Sequence, residues 1–379
     1  MSRAPRAAGT PLRRPKLLDT VLVVPATGRL VLRNGARGRT ALELSSTEAA
    51  AGLLELLDGR REWSDIVAEA HRRHPEATTE ELCRIYEQVE AAGLLEDEPL
   101  HPPLTEQQLD RYSRNLACYA DQVRHLGSKY EVHRRLAASR VLILGVGGLG
   151  SGCALGLAML GVGSLVLVDF DDVEVQNLNR QVLYDTAAIG EPKAPAAAER
   201  LRAVNPEPEY TCRSLRLESG DHVAQLLHEY EPGIVVLGAD RPWLAVDRYT
   251  SQACEQSGTP YTTGTVNGGF GAVWSRVPGR TSCEECRLRW LETTSLAEYE
   301  VVAKREREDL MCATSALGVG AQIISGLIGL EVLHCLLGAP MPSAGHRITV
   351  DFGDLSLDRV AEPVHPRCTC RAAEEGRRR

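Results

Sequence analysis

Four glycines carry the clearest chemical potential in the chain. Gly145, Gly147, Gly148 and Gly150 stand in the stretch VLILGVGGLGSG, residues 141–152. An apolar run that turns through glycines into a helix brings backbone N–H groups to a phosphate. Asp169 ends the next apolar run, SLVLVDFD, at the separation expected of an acid that binds a ribose hydroxyl. Glycines and one acid alone would indicate a nicotinamide-dependent oxidoreductase. The residues that follow change this expectation. Asn177, Arg180 and Gln181 share one short segment, DFDDVEVQNLNRQ, and Lys193 follows in GEPKA. The pyrophosphate of a redox cofactor needs few cations, whereas attack at the α-phosphorus of ATP needs cations that neutralise developing charge. Arg180 and Lys193 suit that need. Asp240, in VVLGAD at the end of another apolar run, suits Mg²⁺, which takes one or two carboxylates together with phosphates. The plainer readings are a solvated surface charge for either cation and a helix N-cap for Asp240, the latter compatible with a metal.

The chain has 11 cysteines. Cys83, Cys153, Cys212, Cys254 and Cys335 stand singly in apolar context and read as core thiols. Cys283 and Cys286 form CEEC, and Cys368 and Cys370 close HPRCTC. In a chain lacking a secretory signal, close pairs suggest a metal rather than disulfides. Two such pairs could surround one structural Zn²⁺, with His365 as an alternative to Cys370 and unliganded thiols as the plainer reading. Zinc there would clip the last segment onto the sheet and do no chemistry.

These residues need elements to hold them. The 379 residues allow two or three domains. Residues 1–16 are basic but contain no apolar signal core, and read as an unstructured lead-in. Residues 17–98 read as a compact winged-helix-like unit: a hairpin over 20–35 with Gly28 in its turn, a third strand over 39–45, then three short helices. The helix caps are expected at Ser46 or Thr47, at Ser64, and at Thr78 or Thr79, with Gly59 stopping the first helix. Residues 99–139 hold a Pro-bearing acidic linker and a helical stretch from about 105. From 140 to 379, short apolar runs alternate with helical patterns, which predicts an α/β fold with a doubly wound, mostly parallel sheet. No apolar run reaches the roughly 18 to 20 residues that span a bilayer, and ALGVGAQIISGLIGLEVLHCLLGA (316–339) reads as a core helix. A net charge of −8 argues against a nucleic-acid binder. The chain is expected to be cytoplasmic, with neither membrane nor nucleic acid as partner.

The strings GVGGLGS, DFDDVEVQNLNRQ, IGEPKA and LGAD, in this order, resemble the ATP-binding core of the ubiquitin-activating-enzyme superfamily. Its bacterial members include the ThiF/MoeB/HesA-type adenylyltransferases of molybdopterin and thiamine biosynthesis. The resemblance covers roughly residues 105–370. It implies attack of a carboxylate on the α-phosphate of ATP, giving an acyl-adenylate and pyrophosphate. Gly145, Gly147, Gly148 and Gly150 would then pass the phosphates and Asp169 would hold the ribose. Asn177, Arg180, Gln181 and Lys193 would hold phosphates and adenine-side groups, and Asp240 would hold Mg²⁺. RYSRNL (111–116) matches a family motif whose second arginine, here Arg114, reaches ATP in the partner of a symmetric dimer, so the resemblance implies a homodimer. Asn115 departs from the usual Gln, and the C-terminal C-x-C departs from a usual C-x-x-C. Some members also carry an acyl-accepting cysteine. Cys312, at the end of the charged segment 287–313, stands where it would be, although a packed thiol is the simpler expectation.

Residues 17–98 resemble the PqqD-like domain that binds leader peptides of ribosomally made, modified natural products, on LLELLDGRREWSDIVAEA and VEAAGLLE. The resemblance implies a leader strand between Ala41–Leu44 and the third-helix face bearing Cys83, Tyr86 and Val89. A DNA-binding winged helix is the competitor, but its recognition helix should be basic, and TTEELCRIYEQVEAAG is acidic on balance. The two regions together are similar to the adenylating enzymes of microcin C and pantocin biosynthesis. The expected function is ATP- and Mg²⁺-dependent adenylation of a precursor-peptide carboxylate, guided by the leader. The alternatives are activation of a sulfur-carrier protein ending in Gly-Gly, or an inactive partner that presents leader to a cyclodehydratase.

Overall fold

The computed structural model describes residues 12–34, 39–45, 47–122, 128–310 and 315–371. Contacts divide the chain into two compact units, 1–134 and 135–379.

In the first unit, β1 (Pro15–Leu17) is followed by β2 (Val21–Ala26), β3 (Arg29–Asn34) and β4 (Arg39–Ser45), then α1 (Glu48–Leu56), α2 (Trp63–Arg73), α3 (Thr79–Ala91) and β5 (Leu95–Asp97). The strands β2, β3 and β4 form an antiparallel meander, and β1 pairs antiparallel with β5. Among the described residues the first strand lies at Pro15–Leu17, beginning inside the stretch expected to be an unstructured lead-in, because the unit's last strand gives β1 a partner. Thr47 caps α1 by accepting the Ala50 N–H at 3.0 Å, and Thr78 caps α3 by accepting the Glu81 N–H at 3.1 Å. Ser64 is no cap: α2 begins at Trp63, with Glu62 at the cap position, two residues before Ser64. The apolar pattern of α3 reads on to Leu95, yet Gly93 takes φ +69° and turns the chain into β5. Leu32, Leu53, Ile66, Leu82 and Val89 make the core. Tyr86 and Val89 belong to this core at 3% and 0% exposure, so the α3 face expected to line a peptide groove instead packs inward, with Cys83 on its half-buried shoulder. The spacing of Leu82, Ile85, Tyr86 and Val89 is that of a helix's buried stripe.

Among the described residues, the helical stretch from 105 holds three helices: α4 (Glu106–Arg111), α5 (Ser113–Gln122) and α6 (Lys129–Ala137). Thr105 and Gln108 close a capping box on α4. The Lys129 ammonium at the head of α6, 7% exposed, meets Glu96 at 3.0 Å and Glu98 at 2.8 Å.

The second unit contains β6 (Arg140–Leu144), α7 (Gly148–Leu160), β7 (Ser164–Val168), α8 (Lys193–Val204), β8 (Glu209–Arg213), α9 (Gly220–Tyr230), β9 (Ile234–Leu237), α10 (Ala245–Ser257), β10 (Tyr261–Asn267) and β11 (Phe270–Arg276). Then follow α11 (Glu284–Thr294), α12 (Leu296–Arg307), α13 (Gly318–Leu336), β12 (His346–Asp351) and β13 (Leu357–Ala361). One eight-stranded sheet runs β13-β12-β11-β10-β9-β6-β7-β8. Strands β8, β7, β6, β9 and β10 are parallel, and β11, β12 and β13 extend the sheet antiparallel. The buried apolar strands β6, β7 and β9 have both faces covered, as the continuous runs predict. From β6 the chain goes to β7 and β8 on one side, then returns to β9 on the other. This reversal opens a crevice at the carboxyl ends of β6 and β9.

The helix α13 packs on α7, β10 and β11 through Ala321, Ile324, Ile328 and Val332. By length and composition it could cross a membrane. Its opposite face leaves Val319, Ile323 and Leu330 exposed.

Candidate active site

The glycines divide into two pairs with different duties. Gly145 has φ +89°, and a Cβ there would lie 2.6 Å from the Ala239 nitrogen. A Cβ on Gly150 would land on the Gly145 carbonyl oxygen. Gly145 is bare because the turn presses against the loop after β9, and Gly150 because the helix start presses against the turn itself. A Cβ on Gly147 would approach no nearer than 3.8 Å to Gln181, and one on Gly148 no nearer than 3.7 Å to Arg180. These two face a cavity of about 660 Å³, a volume in the range of small-molecule sites. Gly147 occupies the N-cap of α7 without a side-chain cap, so the first N–H groups of the helix point toward the opening with their positive dipole end.

Asp169 braces this turn from below. Its carboxylate accepts the Val146 N–H at 2.9 Å and the Asp171 N–H at 3.0 Å. Burial pushes its pKa above the usual carboxylate range, against the pull of those two donors. The Tyr184 hydroxyl donates to the Val146 carbonyl at 2.9 Å on the same turn. Lys193, the first residue of α8, is 6% exposed, and its ammonium sits 2.8 Å from the Asp171 carboxylate. The Arg180 guanidinium is steered by the Gln176 carbonyl at 2.8 Å and the Asn179 side chain at 3.0 Å. Asn177 accepts the Glu174 N–H at 3.0 Å and so shapes the short 3₁₀ turn that carries Arg180. Gln181 is 4% exposed, and its Oε1 has no hydrogen-bond partner. Asp240 is exposed in the loop after β9. Gly145, Gly147, Gly148, Asp169, Asn177, Arg180, Gln181, Lys193 and Asp240 all line the cavity, while Gly150 lies directly beneath it. Arg114 is exposed on α5 in the first unit.

Other residues of the cavity escaped sequence reasoning. Asp171, partner of Lys193, was hidden in an acidic run. Phe170 lies under the Arg216 guanidinium, 5.1 Å from ring centre to charge. Arg241 and Asp309 line the wall beside Asp240. Asp309 follows a charged helix and gives no periodic signal.

The four expected cysteines gather away from this cavity. Cys283 and Cys368 are 3.5 Å apart, as are Cys286 and Cys370, with Cys283 and Cys286 at 3.8 Å. A cation about 2.3 Å from four sulfurs at tetrahedral angles would set them about 3.8 Å apart. The donor set therefore fits zinc. The S–H of Cys283 directed at Cys286 pushes the Cys286 thiol down from its ordinary range. His365 stands beside the set, its Nδ1 accepting the Arg367 N–H at 3.2 Å and its ring against Trp290, so Cys370 needs no substitute. Cys312 lies outside the described residues.

The ThiF family model matches residues 112–372. The chain belongs to the ThiF family. It is 32% identical over 268 residues to a sulfur carrier protein adenylyltransferase of Thermus thermophilus, covering 70% of this chain and 91% of that protein. It is 29% identical over 271 residues to the molybdopterin-synthase adenylyltransferase of Escherichia coli, covering 70% of this chain and 97% of that protein. The fold is similar to that of E. coli MccB crystallised with ATP, at a TM-score of 0.71 and 19% identity, over 94% of this chain and 99% of that one. It is also similar to PaaA, at a TM-score of 0.70 and 19% identity, over 91% of this chain and 99% of that one. This ThiF-family chain is an adenylyltransferase that uses ATP.

Proposed function

We propose that the protein adenylates a carboxylate of a ribosomally made precursor peptide whose leader is bound by the first unit. One observation carries this reading. The carrier-activating relatives account for about 70% of the chain, whereas the likeness to MccB extends over 94% and takes in the first unit. MccB has been solved in complex with N-formylated MccA, as a microcin C7 biosynthetic enzyme. A PqqD-like unit would raise the local concentration of the substrate carboxylate near the cavity.

The chemistry follows from the cavity. A carboxylate oxygen attacks the α-phosphorus. The bond to the bridging oxygen of pyrophosphate breaks, and pyrophosphate leaves with that electron pair. No proton or redox partner is needed. The turn at Gly147 and Gly148 receives phosphate oxygens on backbone N–H groups, and Lys193 and Arg180 offset charge as it builds. The Gln181 Oε1 is free to accept a donor from the nucleotide. Asp240 would hold Mg²⁺, which neutralises phosphate charge when bound. The four cysteines would hold zinc as a clip between α11 and the C-terminal segment. A homodimer would supply Arg114 from the partner subunit. The exposed apolar residues Val319, Ile323 and Leu330 on α13 and Met159 on α7 support an association of copies.

Two other readings stand beside this one. Sequence relatives favour a Gly-Gly-ended carrier as substrate. A leader-presenting partner without activity is disfavoured by the intact set of cavity residues. Pyrophosphate release separates these readings, measured with ATP, Mg²⁺ and candidate peptides from neighbouring genes, full length and leaderless. Release that depends on the leader is expected. Release only with a Gly-Gly-ended carrier would transfer the chain to sulfur-carrier chemistry.

A further inference from the structure

The sheet order tells which end of the cavity meets the acyl substrate. The cavity crosses the carboxyl ends of β8, β7, β6, β9 and β10 in turn. Asp169, Phe170 and Leu215–Leu217 lie over β7 and β8, and the glycine turn lies over β6. A nucleotide with its ribose at Asp169 and its phosphates at the turn leaves the β9 and β10 end vacant. Asp240, Arg241, Gly264–Val266 and Asp309 line that end. Among its described lining residues, the one cation is Arg241.

We infer that Arg241, aimed by Asp309, binds the carboxylate that is to be adenylated. This rests on the proposed reaction but not on which acyl substrate is used. Asp309 is itself firmly held. It takes a left-handed backbone, φ +46°, just after α12, and its Oδ1 accepts the Trp243 N–H at 2.8 Å. Glu306, one turn earlier, meets Arg248 of α10 at 2.9 Å. Asp309 thus ties the end of α12 to the loop that bears Asp240, and Glu306 ties it to α10. Arg241 is held more loosely, with contacts of 3.4 Å to the Asp309 carbonyl and carboxylate and a side chain 43% exposed. A loosely paired guanidinium can exchange one carboxylate for another, and its planar fork suits the incoming group. Asp309 keeps the fork at the acyl end. The substrate carboxylate takes up the guanidinium N–H groups and comes to lie on the far side of the α-phosphorus from pyrophosphate.

The test is ATP–pyrophosphate exchange on the full-length protein, with KM measured separately for ATP and for the acyl substrate that the wild type accepts, peptide or carrier. Arg241→Ala is expected to raise the acyl KM about ten- to hundred-fold, the loss of one charge-assisted hydrogen-bonded contact, and to leave the ATP KM within about two-fold. Arg241→Lys should recover part of the loss. Asp309→Asn keeps an acceptor for the Trp243 N–H and tolerates the left-handed backbone, so it folds. It should raise the acyl KM by less than Arg241→Ala. A rise confined to the ATP KM would assign Arg241 to the phosphates and overturn the inference, as would an unchanged acyl KM in both Arg241 variants. A wild type that accepts only the carrier defeats the peptide reading, while the Arg241 comparison is still read on that carrier. Exchange with neither substrate defeats both.

Discussion

The cavity at the carboxyl ends of the strands and the cysteine cluster each gather residues from separate segments of the chain, yet differ in how their polar groups are satisfied. In the cluster every sulfur already has a sulfur neighbour within 3.8 Å, and Cys283, Cys286 and Cys370 are buried. In the cavity the buried Gln181 Oε1 has no partner, α7 starts without a side-chain cap, and two glycines line the opening. Polar groups left waiting at an opening mark where a ligand binds, because a buried group without a partner costs about 1–3 kcal/mol. A closed set of like donors marks a structural clip. The first is expected to lose activity when altered, and the second stability.

The largest break in that comparison is at Asp240. Asp240→Ala should lower adenylation about 10²- to 10³-fold, read as pyrophosphate release, while leader binding by fluorescence anisotropy and the melting temperature hold. Loss of melting temperature in parallel would place Asp240 in the structural class instead. Gly150→Ala and Gly147→Ala sharpen the contrast within a single turn. A Cβ at 150 overlaps the Gly145 carbonyl, so that variant should lose about 3 kcal/mol in urea unfolding or fail to fold. Gly147→Ala should keep its stability and bind ATP at least tenfold more weakly, about 1.4 kcal/mol. Equal stability losses in both would remove the division of duties.

Chelation tests the other side. Removing metal, or Cys286→Ser, should lower the melting temperature by several degrees, at about 2–4 °C per kcal/mol for a unit of this size. Metal content should fall in step, by elemental analysis. Metal-free protein with unchanged melting would mean the four thiols need no ion. The smallest effect is expected at Glu331, a buried acid that is satisfied like the cluster, accepting from Ser275 at 3.1 Å and from the Ser343 N–H at 2.9 Å. Burial raises its pKa above the ordinary 4.5. The folded protein then holds a proton that the unfolded chain has released, so this group makes stability fall as pH rises from 4.5 toward the raised value. The slope is at most about 1.4 kcal/mol per pH unit. Glu331→Gln should flatten that decline in unfolding curves taken from pH 4 to 8, and a steeper decline would contradict the burial argument.

Much of the cavity's lining was legible because many of its residues lie close in sequence. Strand, glycine turn, Asp169 and the cations follow one another from 141 to 193, and α/β succession predicts that strand ends converge. Asp240 was readable as an acid at a strand's end. The cysteine pairs were readable as pairs. The antiparallel extension β11-β12-β13, the role of Asp169 in bracing the turn, and the inward packing of Tyr86 and Val89 were not, since each depends on which segment lies alongside.

Local order alone therefore determined the type of fold, the glycine turn and the residues with charge to offer. Tertiary structure decided which of those charges are engaged. It paired Lys193 with Asp171, set Arg241 against Asp309 from a segment 68 residues away, and closed Cys283 on Cys368 across 85 residues. The reason is physical. Backbone propensity and hydrophobic period act over a few residues, whereas an ion pair or a metal site needs side chains within a few ångströms, and only the packed sheet brings distant strand ends that close.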